Sequence, residues 1–298
     1  MPHNVGYCCI NTTLRKKNIM TSRGIIKRTF LKEGLSRCSE LALQNAKDLI
    51  KIIEWNKDND IKVFRMASGI FPWATEYHLD ELPAYDEIAL LLRAAGDLAT
   101  RYGQRISAHP DHFVKLASTK RHVVNNSIAD LEAHSEVFDL MFPTASYINP
   151  INIHVGMNFS PEVADRWITA YNRLSPNLRA RLVVENDDKP NGFSVKQLRD
   201  YLHNPLGIPI TFDYFHHQFH PDGLSAHAAA SLAAITWPPG ITPLFHYSES
   251  KNLNEGVSGN PRAHSDYVFN KIDDFGLTLD IDLEAKAKEL ALFRYREL

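Results

Sequence analysis

The chain has 298 residues, 44% of them apolar and 23% charged, with a formal net charge of −2. That length suits one large α/β barrel or two average domains, and so ordinary a balance excludes a disordered chain. No apolar run reaches membrane-spanning length, and Cys8, Cys9 and Cys38 are too few for a disulfide framework or a thiolate zinc site. Bulk charge does not favour nucleic acid, but acids that hold metal count as negative although the ions neutralise them. Because Val5–Ile10 already reads as a strand, no signal peptide is expected. A reducing compartment follows: the cytoplasm, with nucleoid association in a prokaryote.

Strand patterns are expected near 4–10, 61–66, 104–108, 148–155, 181–185, 208–213, 241–246 and 277–281. Amphipathic helical patterns lie between them, near 37–58, 84–101, 127–140, 161–174, 194–203, 222–235 and 264–272, with a last one near 284–296. Gly207-Ile208-Pro209 and Pro238-Pro239-Gly240 punctuate the joins. Alternation sustained over eight strands predicts a (β/α)8 TIM barrel, and the lack of a repeat or linker predicts one domain over 1–298.

The same grammar recurs at the strand ends. Ile208–Phe212 is apolar apart from Thr211, then stops at Asp213, with His216 and His217 within a turn. His109, His154, Glu185 and His246 end or follow other strands, and Glu284 lies shortly after the eighth. Any one of these has a plain structural explanation: a hydrogen-bonded core histidine, a helix cap, a turn acid. Together, six ligand-type residues at the carboxyl ends of successive strands predict a metal cluster at the barrel mouth. Imidazole and carboxylate without thiolate suit Mn, Zn, Fe or Co, and a central Glu185 could bridge two ions about 3.5–4 Å apart, the arrangement that splits phosphodiesters.

The loop expected from Thr12 to Lys32 carries Arg15, Lys16, Lys17, Arg23, Lys27, Arg28 and Lys32 and no acid. It follows the first strand, so it should sit at the same mouth and touch phosphate backbone. Lys120-Arg121-His122 adds a smaller basic cluster, and Tyr7, Phe71, Trp73, Tyr77 and Phe113 are interleaved aromatics that could stack on displaced bases.

Tags spread over nearly the whole chain carry a resemblance. They are Val5-Gly-Tyr-Cys-Cys-Ile-Asn11-Thr-Thr-Leu14, Phe64-Arg-Met-Ala-Ser-Gly-Ile-Phe-Pro-Trp73, Ser107-Ala-His-Pro110, Val184-Glu-Asn-Asp187, Phe212-Asp-Tyr-Phe-His-His217, Phe245-His-Tyr-Ser248, Arg262-Ala-His264 and Asp282-Leu-Glu-Ala-Lys286. In order and spacing the sequence resembles the UV damage endonucleases, barrel enzymes related to apurinic endonucleases of the endonuclease IV type. The resemblance implies an enzyme that nicks UV-damaged double-stranded DNA directly 5′ to pyrimidine dimers or 6-4 products, with the damaged bases flipped out.

It also implies site residues and ions. Glu185, Asp213, His246 and Glu284 would form one metal site, His109 and His154 a second sharing Glu185, and His216 and His264 part of a third. Two or three divalent ions are expected, manganese first, with zinc or cobalt compatible. Tyr7 and Asn11 match residues lining the pocket for the damaged bases, and His78 falls near a family histidine. The sequence departs from the family at two places. His112-Phe113 stands where the family carries a Gln-Tyr wedge, and Leu244 stands where it carries a lysine near the third metal. A monomer is expected. The competing readings are an apurinic-site endonuclease, a metal-dependent sugar isomerase and a lesion-binding protein without catalysis.

Overall fold

A computed structural model describes residues 4–298. Its strands are β1 Asn4–Cys9, β2 Val63–Met66, β3 Arg105–Ala108, β4 Ile151–His154, β5 Leu182–Glu185, β6 Ile210–Thr211, β7 Leu244–Tyr247 and β8 Asp280–Leu283. All pair in parallel, in the order β6-β5-β4-β3-β2-β1-β8-β7. This is the (β/α)8 barrel. Its closing seam, β6 to β7, has one bridge, Asp213 to His246, with His246 N donating to Phe212 O at 3.0 Å. Phe212 and Phe245, both fully buried with ring centroids 5.6 Å apart, hold that seam from outside. Burial of such a side chain contributes roughly 1.5–3 kcal/mol.

Period-two alternation decides what faces the barrel axis. At the amino end, Arg105 pairs with Asp280 at 3.1 Å, and Leu244 packs on Val63, Val183 and Trp237. One layer up, Ser107 Oγ donates to Asp282 at 3.2 Å. The next positions on the same faces are His109, Glu284 and His246, so the alternation that packs the interior also delivers the strand-end residues to the mouth. Gly6 lets β1 approach β2, since a Cβ there would lie 1.8 Å from Val63 O.

Helices Lys27–Asp58, Tyr85–Arg101, Arg121–Met141, Pro161–Tyr171, Ala226–Ala234 and Glu289–Tyr295 cover the outside, with a helical run over 195–206. None of the described helices is long and apolar enough to cross a membrane. Local signals explain the starts. Ser160 accepts from Val163 N at 3.2 Å ahead of Pro161, and Ser194 and Gln197 form a capping box.

Four expectations need correction. No helix forms over 264–272, because its backbone donors go elsewhere. Phe269 N and Asn270 N donate to the Glu249 carboxylate at 3.1 and 3.0 Å, and Ser265 N donates to Glu249 O at 2.8 Å. The eighth strand lies over Asp280–Leu283 rather than 277–281, which makes Glu284 the residue directly after it. The sixth strand is two residues long, since Pro209 has no N–H to donate, although its carbonyl accepts from Val184 N at 3.1 Å. The basic stretch is not one loop: Thr12–Arg15 is a helical turn, and Lys27, Arg28 and Lys32 lie inside the helix Lys27–Asp58.

Candidate metal centre

Glu185, at the end of β5 and 1% exposed, is the hub of a bowl at the carboxyl end of the barrel. His246 Nδ1 stands 3.1 Å and His109 Nε2 3.2 Å from its Oε2, while His216 Nδ1 stands 3.2 Å and His154 Nε2 3.7 Å from its Oε1. Asn152, two residues before His154 on β4, donates its amide to Oε2. On the far side His246 Nδ1 is 3.3 Å from Glu284 Oε1, which also accepts from Arg65, and His264 Nδ1 is 3.6 Å from Glu284 Oε2. Two triads have ligand atoms all within 4.8 Å of one another: His109, His154, Glu185 and Glu185, Asp213, His246. Glu185 belongs to both.

Asp213 has two tasks. As N-cap of the turn Tyr214–Phe219 its Oδ1 accepts from His216 N at 2.7 Å, which fixes where His216 points. Its Oδ2 remains buried without a hydrogen bond.

The backbone sets the histidine tautomers. His109 Nδ1 lies 2.9 Å from Pro110 O, His216 Nδ1 3.0 Å from Asn186 O, and His264 Nδ1 2.9 Å from Glu284 O. A carbonyl only accepts, so each Nδ1 carries the proton and each Nε2 of the neutral ring is left as a lone pair. His154 Nδ1 faces Asp187 Oδ1 at 3.2 Å. This is how metal-binding imidazoles are oriented from behind. With neutral rings, His109 Nε2 and Glu185 Oε2 are lone pairs facing each other across 3.2 Å, which only a second ring proton or a cation can join. Glu185 Oε1, Asp213 Oδ2 and His246 Nδ1 are also buried without a well-directed hydrogen bond. Each such atom costs roughly 1–3 kcal/mol, and a divalent cation taken by imidazole and carboxylate offsets that cost. The residues fit divalent metal.

The electrostatics agree. Burial alone would raise the Glu185 carboxyl, but His246, His154, His109 and His216 outweigh it and hold it well below the usual carboxylate range. Burial alone would lower His154, but Glu185 and Asp187 push it up to about 9. His216 and His246 also rise against burial, His216 through Asp213 and Glu185, His246 through Glu185 and Glu284. In the metal-free protein His154, His216 and His246 therefore hold protons that a metal must displace, while Glu185 is already ionised. Metal affinity should climb from the ordinary histidine value of 6.5 up to about 9, where His154 has lost its proton unaided. Calorimetry at pH 7 in two buffers of different ionisation heat should read at least about one proton released per protein. Affinity independent of pH across that window would contradict the assignment.

The bowl opens into a cleft of about 690 Å³ lined by Arg65, His109, His112, His154, His216, His264 and Glu284, among others. His112 is one of its lining residues, and Phe113, 73% exposed, packs on it with ring centroids 4.1 Å apart. Lys16 and Lys17 are exposed beyond the end of β1. His216 aims at the Glu185 hub, with its ring 6.4 Å from that of His264. Leu244 is core, one inward layer below His246.

Three of the expected substrate-contacting residues lie away from the lining of the cleft. Tyr7 pairs in register with Phe64, faces the helical layer, is 0% exposed, and donates to Asn56 Oδ1 at 2.9 Å. Asn11 is 2% exposed because it caps Thr12–Arg15, accepting from Leu14 N at 2.8 Å and donating to Tyr7 OH at 3.0 Å. His78 lies outside the cleft, at the start of the turn Leu79–Glu81, in a side groove with Glu81, Glu132 and Glu136. Sequence reasoning missed Asp187, Asn152 and Arg65 as supports of the centre. Asn152 and Arg65 carry a findable signal: each lies in a strand, an even number of residues from an inward-facing position.

A family model described as UV-endonuclease UvdE matches residues 3–298. The UV-damage endonuclease of Schizosaccharomyces pombe is 35% identical over 97% of this chain, which spans 49% of that protein. A putative UV-damage endonuclease of Acanthamoeba polyphaga mimivirus is 29% identical over 97% of this chain and 89% of its own length. The crystal structure of SacUVDE is 30% identical with a TM-score of 0.84, covering 99% of this chain and 96% of that one. Endonuclease IV from Thermus thermophilus, 15% identical with a TM-score of 0.55 over 84% of this chain and 93% of its own, shares the fold. Sequence and architecture thus converge, and the chain belongs to the UV-endonuclease UvdE family.

Proposed function

We propose that this chain is a divalent-metal-dependent DNA repair endonuclease that cuts directly 5′ to UV photoproducts, pyrimidine dimers and 6-4 products, after the damaged bases are turned out of the duplex. The observation that carries the reading is Glu185, shared by two ligand triads at the mouth of a barrel whose family is that of the UV endonucleases. His109 and His154 would hold one ion beside Glu185, and Asp213, His246 and Glu284 would hold another. Manganese is the first candidate, and zinc or cobalt suits the same donors. Bound there, the ions supply Lewis acidity and a nucleophile from water at neutral pH. The chain does the rest: Glu185 supplies a carboxylate to both triads, Pro110 O and Asn186 O keep Nε2 of His109 and His216 free, and Arg65 keeps Glu284 charged. Manganese-loaded protein should nick UV-irradiated plasmid and spare untreated plasmid. Equal nicking of both, or of neither, rejects the proposal, and preferred cutting at abasic sites moves it to an apurinic endonuclease.

Double-stranded DNA is the partner this reading requires, met by one copy of the chain. Arg15, Lys16 and Lys17 are exposed at the end of β1, and the helix from Lys27 opens with Lys27 and Arg28 and no acid, against the preference of its dipole. An anion lying there answers that placement. Arg23 is excluded from it, because Asp48 holds it at 2.7 Å. Lys16→Ala with Lys17→Ala should flatten the salt dependence of DNA affinity by about 1.8 in logarithmic slope, about 0.9 for each phosphate no longer neutralised. An unchanged slope in a salt titration would mean that these lysines do not touch the backbone.

A further inference from the structure

The end of β1 carries two thiols that the metal centre does not use. Cys8 is buried, while Cys9 is half-buried and lines the cleft together with Arg65. Strand alternation would send Cys9 outward with Tyr7. A φ of 69° swings its side chain round instead, and Ile10 N donates to Cys8 O at 2.9 Å, closing a three-residue turn of the rare positive-φ kind. The two sulfurs are thereby brought together, and the one Cys8 proton is within reach of both Leu283 O, at 3.2 Å, and the Cys9 sulfur. Cations flank the pair. Arg65 stands opposite Cys8 in the β1–β2 register, and Lys288 Nζ lies 4.0 Å from Cys8 Sγ. Lys288 takes a φ of 57° with a ψ of −125°, a backbone open to glycine and costly for lysine. A hydrogen bond from Cys8, with Arg65 and Lys288 behind it, outweighs burial and holds the Cys9 thiol below its ordinary value. Arg65 also has a donor to spare: it is 8% exposed and one nitrogen serves Glu284, but its Nε is buried without a partner.

We propose that Cys9 is a modification site, a cleft thiol that a hydroperoxide oxidises to the sulfenic acid, and that the oxidised protein cuts DNA poorly. A partly exposed cysteine among cations is where such chemistry concentrates. The Cys9 sulfur attacks one peroxide oxygen, an S–O bond forms and the O–O bond breaks. The other oxygen leaves as hydroxide and takes a proton from solvent, so sulfur loses two electrons and the peroxide ends as water. The added oxygen gives Arg65 Nε the acceptor it lacks. Arg65 drawn to Cys9 slackens its hold on Glu284, and the damage passes to the metal centre. Cys8 serves as donor rather than as the second half of a disulfide: adjacent Cα atoms stand about 3.8 Å apart, and a disulfide usually spans at least about 4.4 Å. A thiol reductant therefore reverses the change. The loss of cutting rests on the endonuclease reading of the cleft; the oxidation of Cys9 does not.

The test treats the full, metal-loaded chain with hydrogen peroxide, traps sulfenic acid with dimedone and maps the adduct by peptide mass spectrometry. Nicking of irradiated plasmid is measured before treatment, after it, and after dithiothreitol. Cys9 should carry the adduct, with Cys8 and the buried Cys38 free of it. Nicking should fall about tenfold, the loss expected for one hydrogen bond to a charged group, and return with dithiothreitol. Lys288→Gln should slow the labelling several-fold, and Cys9→Ser should show the same nicking before and after peroxide. An unlabelled Cys9, a Cys8–Cys9 disulfide, or labelling of Cys38 at the same rate overturns the site. Equal loss of nicking in wild type and Cys9→Ser places the damage on other residues and overturns the control of cutting, as does a labelled Cys9 with undiminished nicking. A chain labelled at Cys9 that never nicks irradiated plasmid would sink the endonuclease reading and leave the thiol site standing.

Discussion

Glu185→Gln should lower the nicking of UV-damaged DNA on the order of a thousandfold while lesion binding stays near normal. Glutamine keeps the shape and can still accept from the Asn152 amide, so the barrel has no reason to collapse. What it loses is the one charge that both triads share. It also brings an N–H₂ group to where His109 Nε2 and His154 Nε2 present lone pairs, so one of the two ligand sets faces a donor instead of an anion. Elemental analysis should find the variant at least one ion short per chain. Removing an outer ligand such as His264 disturbs one region only and should cost far less. Near-wild-type turnover by Glu185→Gln with full metal content would end the bridging role.

How much of this was written in the sequence depends on which physical rule each residue obeys. A barrel puts strand ends at one face whatever the loops do, so His109, His154, Glu185, Asp213, His246 and Glu284 could be grouped before any coordinates. Tyr7 shows the limit. Its place in an N-terminal tag says nothing about which face of β1 it occupies, and the register with Phe64 turns it outward. The supports were hidden for another reason. Pro110 O, Asn186 O and Glu284 O are backbone atoms present at every position, so only geometry shows that they hold the imidazoles. Asp187 escaped notice because its partner, His154, is 33 residues away in sequence. The segment 264–272 failed as a helix because the competing acceptor, Glu249, is a long-range contact that no local propensity encodes.

Phe113→Ala should reduce nicking of a lesion in intact duplex about tenfold to a hundredfold and leave a lesion in a pre-opened bubble untouched. The magnitude is that of one aromatic stacking partner, about 1–3 kcal/mol. Phe113 is 73% exposed, yet its ring stays 4.1 Å from that of His112, which lines the cleft. A scattered surface apolar residue is ordinary. A ring paired with a polar tip, four residues past the proposed ligand His109, would fit the gap that the proposed turning-out of the bases leaves. Opening the duplex is the only step that needs such a filler, which is why the bubble substrate discriminates. The substitution should also leave the melting temperature nearly unchanged, since an exposed side chain away from any buried feature shifts stability by no more than about 0.5 kcal/mol. A wedge made of His112 and Phe113 has no phenol hydroxyl, so on this reading it would act by shape and stacking. Equal losses on duplex and bubble would show that Phe113 acts on the reacting strand itself, and the wedge would have to be sought elsewhere on the rim.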